Sequence, residues 1–296
     1  MLEQRKEKAE SWFKALQNQI CNSFEDIEMK SQMSDVFKSY NSGKFEHKDW
    51  DRTDSVTAKK GGGGQMRVMR GAVFEKVGVN VSTVYGQFPK KFRDKIPGAG
   101  KSGEFWASGT SLVAHTRSPL MPAVHLNTRM IVTEENWFGG VTDLNPMLFD
   151  YPSHEEDRDI FHKALKSCCD RHDPEYYSIF KKCADEYFYM PHRKIHRGVG
   201  GIFADYLWNA QGGEDLWEKH FAFIQDIGKT FMQVYPQILD RYMDKAWTDE
   251  QREAQYKRRG YYGEFNLVYD RGTEFGLKTD GNTEAILMSM PPIAKW

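Results

Sequence analysis

Four short runs between residues 73 and 144 constrain the fold more than any other part of the chain. They are VFEKVGVNVSTVYG (73–86), ASGTSLVAHT (107–116), AVHLNTRMIVT (123–133) and WFGGVTDL (137–144). The stretch is rich in Val, Phe, Thr and Ser, alternates apolar and polar residues in places, and is punctuated by Gly and Pro. Such runs at close spacing predict successive antiparallel strands. Polar residues 45–58 add a short strand with its turn, and residues 198–207 (GVGGIFADYL) add another. Two further β-like runs, GEFNLVYDRG and EAILMSMPP, close the chain.

Helical spacing surrounds these strands. Trp12, Leu16, Ile20, Phe24 and Ile27 recur along a long amphipathic segment, with a break expected near Asn22-Ser23. Residues 153–171 and 174–190 read as two helices, the first opened by a capping box of Ser153 and Glu156. Residues 214–246 carry Leu216, Phe221, Ile224, Phe231, Tyr235, Ile238 and Leu239 on one broad face, with Pro236 set to kink the helix. No repeat or low-complexity linker divides the chain. The expectation is one α+β domain over residues 1–296, an antiparallel sheet of about seven strands flanked by helices on both faces. Residues 1–45 form its N-terminal helical segment.

Charge and composition narrow the function classes. A net charge of −1 gives no bulk attraction to nucleic acid or to an anionic membrane. No apolar run approaches the ~20 residues of a membrane span. The charged opening MLEQRKEKAESWF lacks a signal-peptide apolar core. Four cysteines without a CxxC pair point to a reduced compartment, so the cytoplasm is expected. Eight Trp, 14 Tyr and 19 Phe form an aromatic-rich core that can also line a pocket for a flat ligand.

Two phosphate-loop look-alikes carry little. Gln65-Met66-Arg67 follows the glycines at 61–64 where Lys and Ser/Thr are needed, and Lys95 stands where the first glycine before Gly100-Lys101-Ser102 should be. The glycine run reads as a loop, mobile or closely approached by a ligand. More informative is the strand around residue 125. By the period of two, His125, Asn127 and Arg129 share one face. Three polar groups pointing inward need partners, which a polar ligand supplies; a solvated sheet face explains them equally well. His115, on the neighbouring strand, can share that face. Arg193, Lys194 and Arg197 precede a Gly-rich turn, Asp270 and Arg271 adjoin glycines, and Asp143 follows a Gly pair. Arginine suits carboxylates, so the residues alone point to an Arg/His/Asp-lined pocket for an anionic ligand.

Taken in order, these segments resemble the aerobic coproporphyrinogen III oxidases. The likeness rests on GGGG…RV (61–68), VFEKVGVNVS (73–82), SLVAHTRSPLMPAVHLNTR (111–129), WFGGVTDLNP (137–146), CADEYFYMPHRKIHRGVGGIFADYL (183–207) and GEFNLVYDRGTEFGL…TEAILMSMPP (263–292). The resemblance implies oxidative decarboxylation of the ring A and ring B propionates of coproporphyrinogen III to vinyls. Oxygen is the oxidant, protoporphyrinogen IX the product, and CO2 and H2O2 the co-products. It further implies no required cofactor, and a homodimer using the segment 262–296.

Carried over residue by residue, the resemblance makes His125 the proton donor and Asp270 or Asp143 the carboxylate near the pyrrole NH groups. Arg129 completes the catalytic set. Substrate contacts fall at Ser111, Asn127, Thr128, Arg129, Arg197, Arg271 and the run Asp280-Gly281-Asn282. A divalent metal, if bound, falls to His115, His125, His162 and His192. Two departures stand out: Asp280-Gly281-Asn282 lacks the Arg common there, and Tyr85 replaces a frequent His. A porphyrinogen-binding protein of the same fold with impaired catalysis is the competing expectation.

Overall fold

The computed structural model describes residues 1–94, 96–148, 151, 153–211, 214–278 and 281–296. Helix α1 (Leu2–Ser31) opens the chain. Strands β1 (Glu46–Thr53), β2 (Lys60–Met69) and β3 (Phe74–Gln87) follow, then a single turn, α2 (Lys90–Arg93). Next come β4 (Glu104–Thr116), β5 (Ala123–Val132) and β6 (Asn136–Asn145), and helices α3 (Ser153–Asp170) and α4 (Tyr176–Tyr187). A small hairpin of β7 (Tyr189–Met190) and β8 (Ile195–His196) leads into β9 (Gly201–Trp208). A second one, β10 (Ala210–Gln211) with β11 (Glu214–Asp215), leads to α5 (Trp217–Asp240). Helices α6 (Asp249–Val268), α7 (Arg271–Lys278) and α8 (Thr283–Leu287) end the chain.

The main sheet has seven strands in the order β1-β2-β3-β4-β5-β6-β9, every pair antiparallel. This is the α+β architecture expected from the strand pattern. Strand β5 shows why the alternation was readable: Val124, Leu126, Thr128 and Met130 are buried, while His125, Asn127 and Arg129 are half-buried on the other face. The even-numbered face packs on α1 and α5, with α3 beside them. Phe24 of α1 stacks on Phe74 of β3 at 4.5 Å, and Thr110 of β4 donates to the Phe13 carbonyl at 2.7 Å. The odd-numbered face is covered at its β6–β9 end by α4 and α6, through Val141, Ala184, Phe188, Phe203 and Phe265. Helices α7 and α8 lie beyond them. The charged edge strand β1 (EHKDWDRT) discourages edge-to-edge pairing.

Several expectations need correction. Helix α1 runs unbroken through Asn22-Ser23. Those residues cost only a few tenths of a kcal/mol each in a helix, and burial of Phe13, Leu16, Ile20 and Phe24 outweighs them. The glycines at 61–64 form strand β2 rather than a loop. A Cβ on Gly64 would sit 2.6 Å from the Trp50 ring and 2.4 Å from the Val81 carbonyl, so close packing between neighbouring strands demands glycine. Gly100-Lys101-Ser102 leads into strand β4, not into the helix a phosphate loop requires.

Both terminal β-like runs are helical. A capping box of Thr248 and Gln251 starts α6, and Tyr262, Phe265 and Asn266 then bury one helical face. EAIL belongs to α8, capped by Asn282. Helix α5 begins at Trp217 rather than 214 and continues through Pro236. Helix α3 begins at Ser153, whose expected capping side chain lies outside the described residues. Among the described residues no helix is long and apolar enough to cross a membrane.

Candidate active site

The sheet face that carries His125, Asn127 and Arg129 forms the floor of a cavity of about 670 Å³. Register places its polar floor. Asn80, Ser111, Asn127 and Val141 stand opposite one another on β3 to β6, and Gly109, Arg129 and Gly139 form the next row. Helices α7 and α8 roof the cavity, with Phe275, Ile286 and Met288 among its lining residues. Phe88 stacks on Phe105 at 4.2 Å and meets Phe275 edge-on at 5.7 Å, closing the β1–β3 end with aromatic surface. The result is an apolar slot with polar groups at chosen points, the usual build of a small-molecule site.

On the same sheet face, at the edge of the floor, lies a buried ionic network. His125 Nδ1 donates to Asp143 Oδ1 at 2.9 Å. A carboxylate only accepts, so Nδ1 carries the hydrogen and Nε2 is the free nitrogen of the ring. Arg197 grips the same carboxylate twice, Nη2 on Oδ1 at 2.6 Å and Nε on Oδ2 at 3.2 Å. Asn145 Nδ2 donates to Oδ2 at 2.9 Å. Burial by itself would raise the Asp143 carboxyl, but Arg197 and His125 hold it down at about 2. Burial would likewise lower Arg197, and Asp143 instead keeps it above the usual guanidinium range. The Arg197 guanidinium also lies 4.3 Å from the Phe188 ring centroid and 4.6 Å from that of Tyr262.

This geometry redistributes the expected roles. Asp143 is fully buried beside His125 on the neighbouring strand and does not line the cavity, so it orients the imidazole rather than meeting a ligand. It also sits within β6, not at a Gly turn. Arg197 reaches the cavity wall, yet its fork is engaged by Asp143 and Asn266. Thr128 points to the opposite face, where a Cβ on Gly140 would meet its methyl at 4.0 Å; it does not line the cavity. His125, Ser111, Asn127, Arg129, Asp270, Arg271, Gly281 and Asn282 all do. Asp280 lies outside the described residues.

Asp270 is fixed at the start of α7. Its Oδ1 accepts from the backbone N–H groups of Gly272 and Thr273, each at 3.1 Å, and its Oδ2 lies 3.4 Å from the Tyr187 hydroxyl. Arg271 stretches over the Tyr187 ring at 4.9 Å and the Phe203 ring at 5.3 Å. Asn282 accepts from Ala285 N at 3.0 Å, so the residue standing in place of Arg has a capping role at α8.

The four histidines do not converge. Nε2 of His115 donates to the Ser289 carbonyl at 2.9 Å, and burial lowers this ring to about 3. Nε2 of His162 donates to the Val199 carbonyl, and Tyr177 donates to its Nδ1. His192 bonds Tyr269 and Glu264. Among the described residues no three His, Cys, Asp or Glu side chains are grouped to hold a metal.

Asp205 and Arg52 are among the lining residues that the sequence pattern did not mark. Asp205 on β9 contacts Arg129 at 2.8 Å. Its signal was a lone acid inside the apolar run GGIFADYL. Arg52 on β1 lines the opposite end and donates to the Tyr85 carbonyl at 2.9 Å. Nothing in its polar surroundings marked it.

Comparison with known proteins identifies the family. A family model described as coproporphyrinogen III oxidase matches residues 8–296. The oxygen-dependent coproporphyrinogen-III oxidase of Rickettsia bellii is 52% identical over 296 residues, covering 100% of both chains. That of Rickettsia rickettsii is 52% identical over 293 residues, and that of Rickettsia akari 50%, each alignment covering 99% of both chains. With a family match across almost its whole length and relatives at half identity end to end, the chain belongs to the coproporphyrinogen III oxidase family.

Proposed function

We propose that the protein is an oxygen-dependent coproporphyrinogen-III oxidase. It converts the ring A and ring B propionates of coproporphyrinogen III to vinyl groups, giving protoporphyrinogen IX. For each side chain the propionate loses CO2 and one hydrogen from its β-carbon, and the electron pair passes to O2, released as H2O2. The observation that carries this reading is identity of about half, over full length, to relatives of that name.

The cavity chemistry supports it. Arg129 and Arg271 are placed to receive substrate carboxylates, and the aromatic end suits an extended macrocycle. Asp270 serves as the carboxylate beside the pyrrole NH groups, with Ser111 and Asn127 as hydrogen-bond partners on the floor. His125 presents Nε2 as the proton-transfer group, and Asp143 and Arg197 act through it as positioning residues. The substrate ring supplies the electrons, so the reaction as proposed uses neither metal nor organic cofactor. The protein works in the cytoplasm as a single-domain homodimer. Exposed Leu267, Val268, Ile293 and Trp296 support an interface within residues 262–296.

The test is incubation of pure protein with coproporphyrinogen III in air and under anaerobic conditions. Protoporphyrinogen and CO2 should form only in air. Tight binding without oxygen uptake would instead identify a binding protein.

A further inference from the structure

Strands β6 and β9 pair as Phe138↔Leu207 and then Gly140↔Ala204, so Asp205 and Tyr206 together oppose the single residue Gly139. This is a β-bulge at the β6–β9 end of the cavity floor. It forces Tyr206 to a φ of 54°, a left-handed conformation that bulky residues rarely adopt. The ring of Tyr206 stacks on Trp208 at 5.5 Å and packs tilted against Trp137 at 5.7 Å, completing a cluster with these two rings that offsets the strain. In this conformation the Tyr206 N–H donates to Asp205 Oδ1 at 3.1 Å and locks the carboxylate.

The locked carboxylate gathers two cations. Arg129, register partner of Gly139, extends over that glycine, and its Nη2 donates to Asp205 Oδ1 at 2.8 Å. A Cβ on Gly139 would stand 3.1 Å from the Arg129 Cζ and Nε. The missing side chain therefore gives the guanidinium its bed. Asn127 Oδ1 accepts from Nη1 at 3.3 Å and fixes the other end of the fork. From the roof, Arg271 Nη2 comes to 3.7 Å from Asp205 Oδ2. Two guanidiniums and one carboxylate leave a net charge of +1, balanced by one further carboxylate.

We infer that Asp205 is a positioning residue: held by the Asp205–Tyr206 bulge, it aligns Arg129 and Arg271 as one receptor for a single substrate carboxylate. This deepens the proposed function and rests on it. It makes Asp205 a determinant of substrate recognition that acts through the arginines.

The experiment uses the full chain, with steady-state kinetics on coproporphyrinogen III. Binding of the oxidised tetracarboxylate macrocycle, followed by its own fluorescence, provides a readout besides turnover. Asp205→Asn should raise KM and the macrocycle Kd at least tenfold while kcat changes less than threefold, with Asp205→Glu recovering part of the loss. In an Arg129→Ala background, Asp205→Asn should cost less than it does in the wild type, because only the Arg271 contact is left to lose. Gly139→Ala, which leaves Asp205 intact but displaces the guanidinium by a few tenths of an ångström, should raise KM in the same sense. It decides the matter if Asp205→Asn does not fold. Additive losses in the double variant, or unchanged KM and Kd in either single variant, overturn the inference. Absence of turnover by the wild-type protein itself would instead remove the proposed function.

Discussion

His125 and Asp143 meet at 2.9 Å across the β5–β6 pair, where they are direct register partners. Asp143→Asn keeps the shape but exchanges one acceptor oxygen for a donor. Arg197 needs acceptors, so the Asn oxygen turns to it and the NH2 faces Nδ1. That moves the imidazole hydrogen to Nε2, the nitrogen proposed for proton transfer. We predict a fall in kcat of about 10²–10⁴-fold, the usual contribution of general acid–base catalysis, with KM changed by only a few fold. Nitrogen NMR of His125 should show the tautomer exchange. Wild-type kcat with the exchanged tautomer would rule out this role for the ring.

The Arg197–Asp143 pair is fully buried, so removing one partner strands the other. Arg197→Met should destabilise the protein by about 3–5 kcal/mol in urea unfolding, the usual cost of breaking a buried pair from one side. Adding Asp143→Asn should recover part of that loss, because the uncompensated charge is gone. A double variant less stable than the single one contradicts the pairing.

The same pair sets an acid limit. The Asp143 carboxyl falls from an ordinary 3.8 to about 2 in the folded protein. Between these values the unfolded chain binds more protons than the native one, so stability is full above about pH 4 and drains as pH falls towards 2. The stability gap between wild type and Asp143→Asn should therefore shrink over that window, by on the order of 2 kcal/mol. A gap independent of pH from 5 to 2.5 in urea titrations contradicts the lowered value.

Legibility in the sequence followed the physics of each element. Strands β3 to β6 could be read because one face is buried on helices and the other lines a cavity, which imposes alternation on residues 125 to 130. For the same reason His125, Asn127 and Arg129 could be placed together. The last β-like runs misled because Phe265, Val268 and Tyr269 have high β-propensity. The competing 3–4 spacing of Tyr262, Phe265 and Asn266, started by a capping box, decides the outcome. Asp205 could not be aimed from sequence, since a bulge turns its strand by one residue and leaves no compositional mark. Nor could the pattern show that Asp143 is covered over beside His125 rather than open to a ligand. That depends on Arg197 arriving from just after β8.

Asp270 and Arg129 allow a comparison of roles. Asn caps helices as well as Asp does, so Asp270→Asn retains the α7 start while removing the charge. Its kcat should fall at least ~100-fold, within the range for loss of a positioned base. Arg129→Ala should act mainly on KM, by at least ~10-fold, as expected when one charge-assisted contact of about 1.5–3 kcal/mol is lost. His47→Ala, on the exposed edge strand, should leave both unchanged. Similar kinetics in all three variants would reject the assignment of the cavity as the active site.

The remaining histidines offer a test of metal dependence. His115 is buried with Nε2 on the Ser289 carbonyl, His162 is held between Tyr177 and the Val199 carbonyl, and His192 joins Tyr269 to Glu264. A shared ion would have to break these bonds and draw rings together from β4, α3 and the β7–β8 turn. His162→Gln and His192→Gln should accordingly retain kcat within about threefold, whereas His125→Gln should lose ~100-fold or more. Protein dialysed against chelator should keep its turnover at less than one metal per chain by elemental analysis. Parallel losses in all the histidine variants, restored by one divalent cation, would establish a metal site that this arrangement of side chains must rearrange to form.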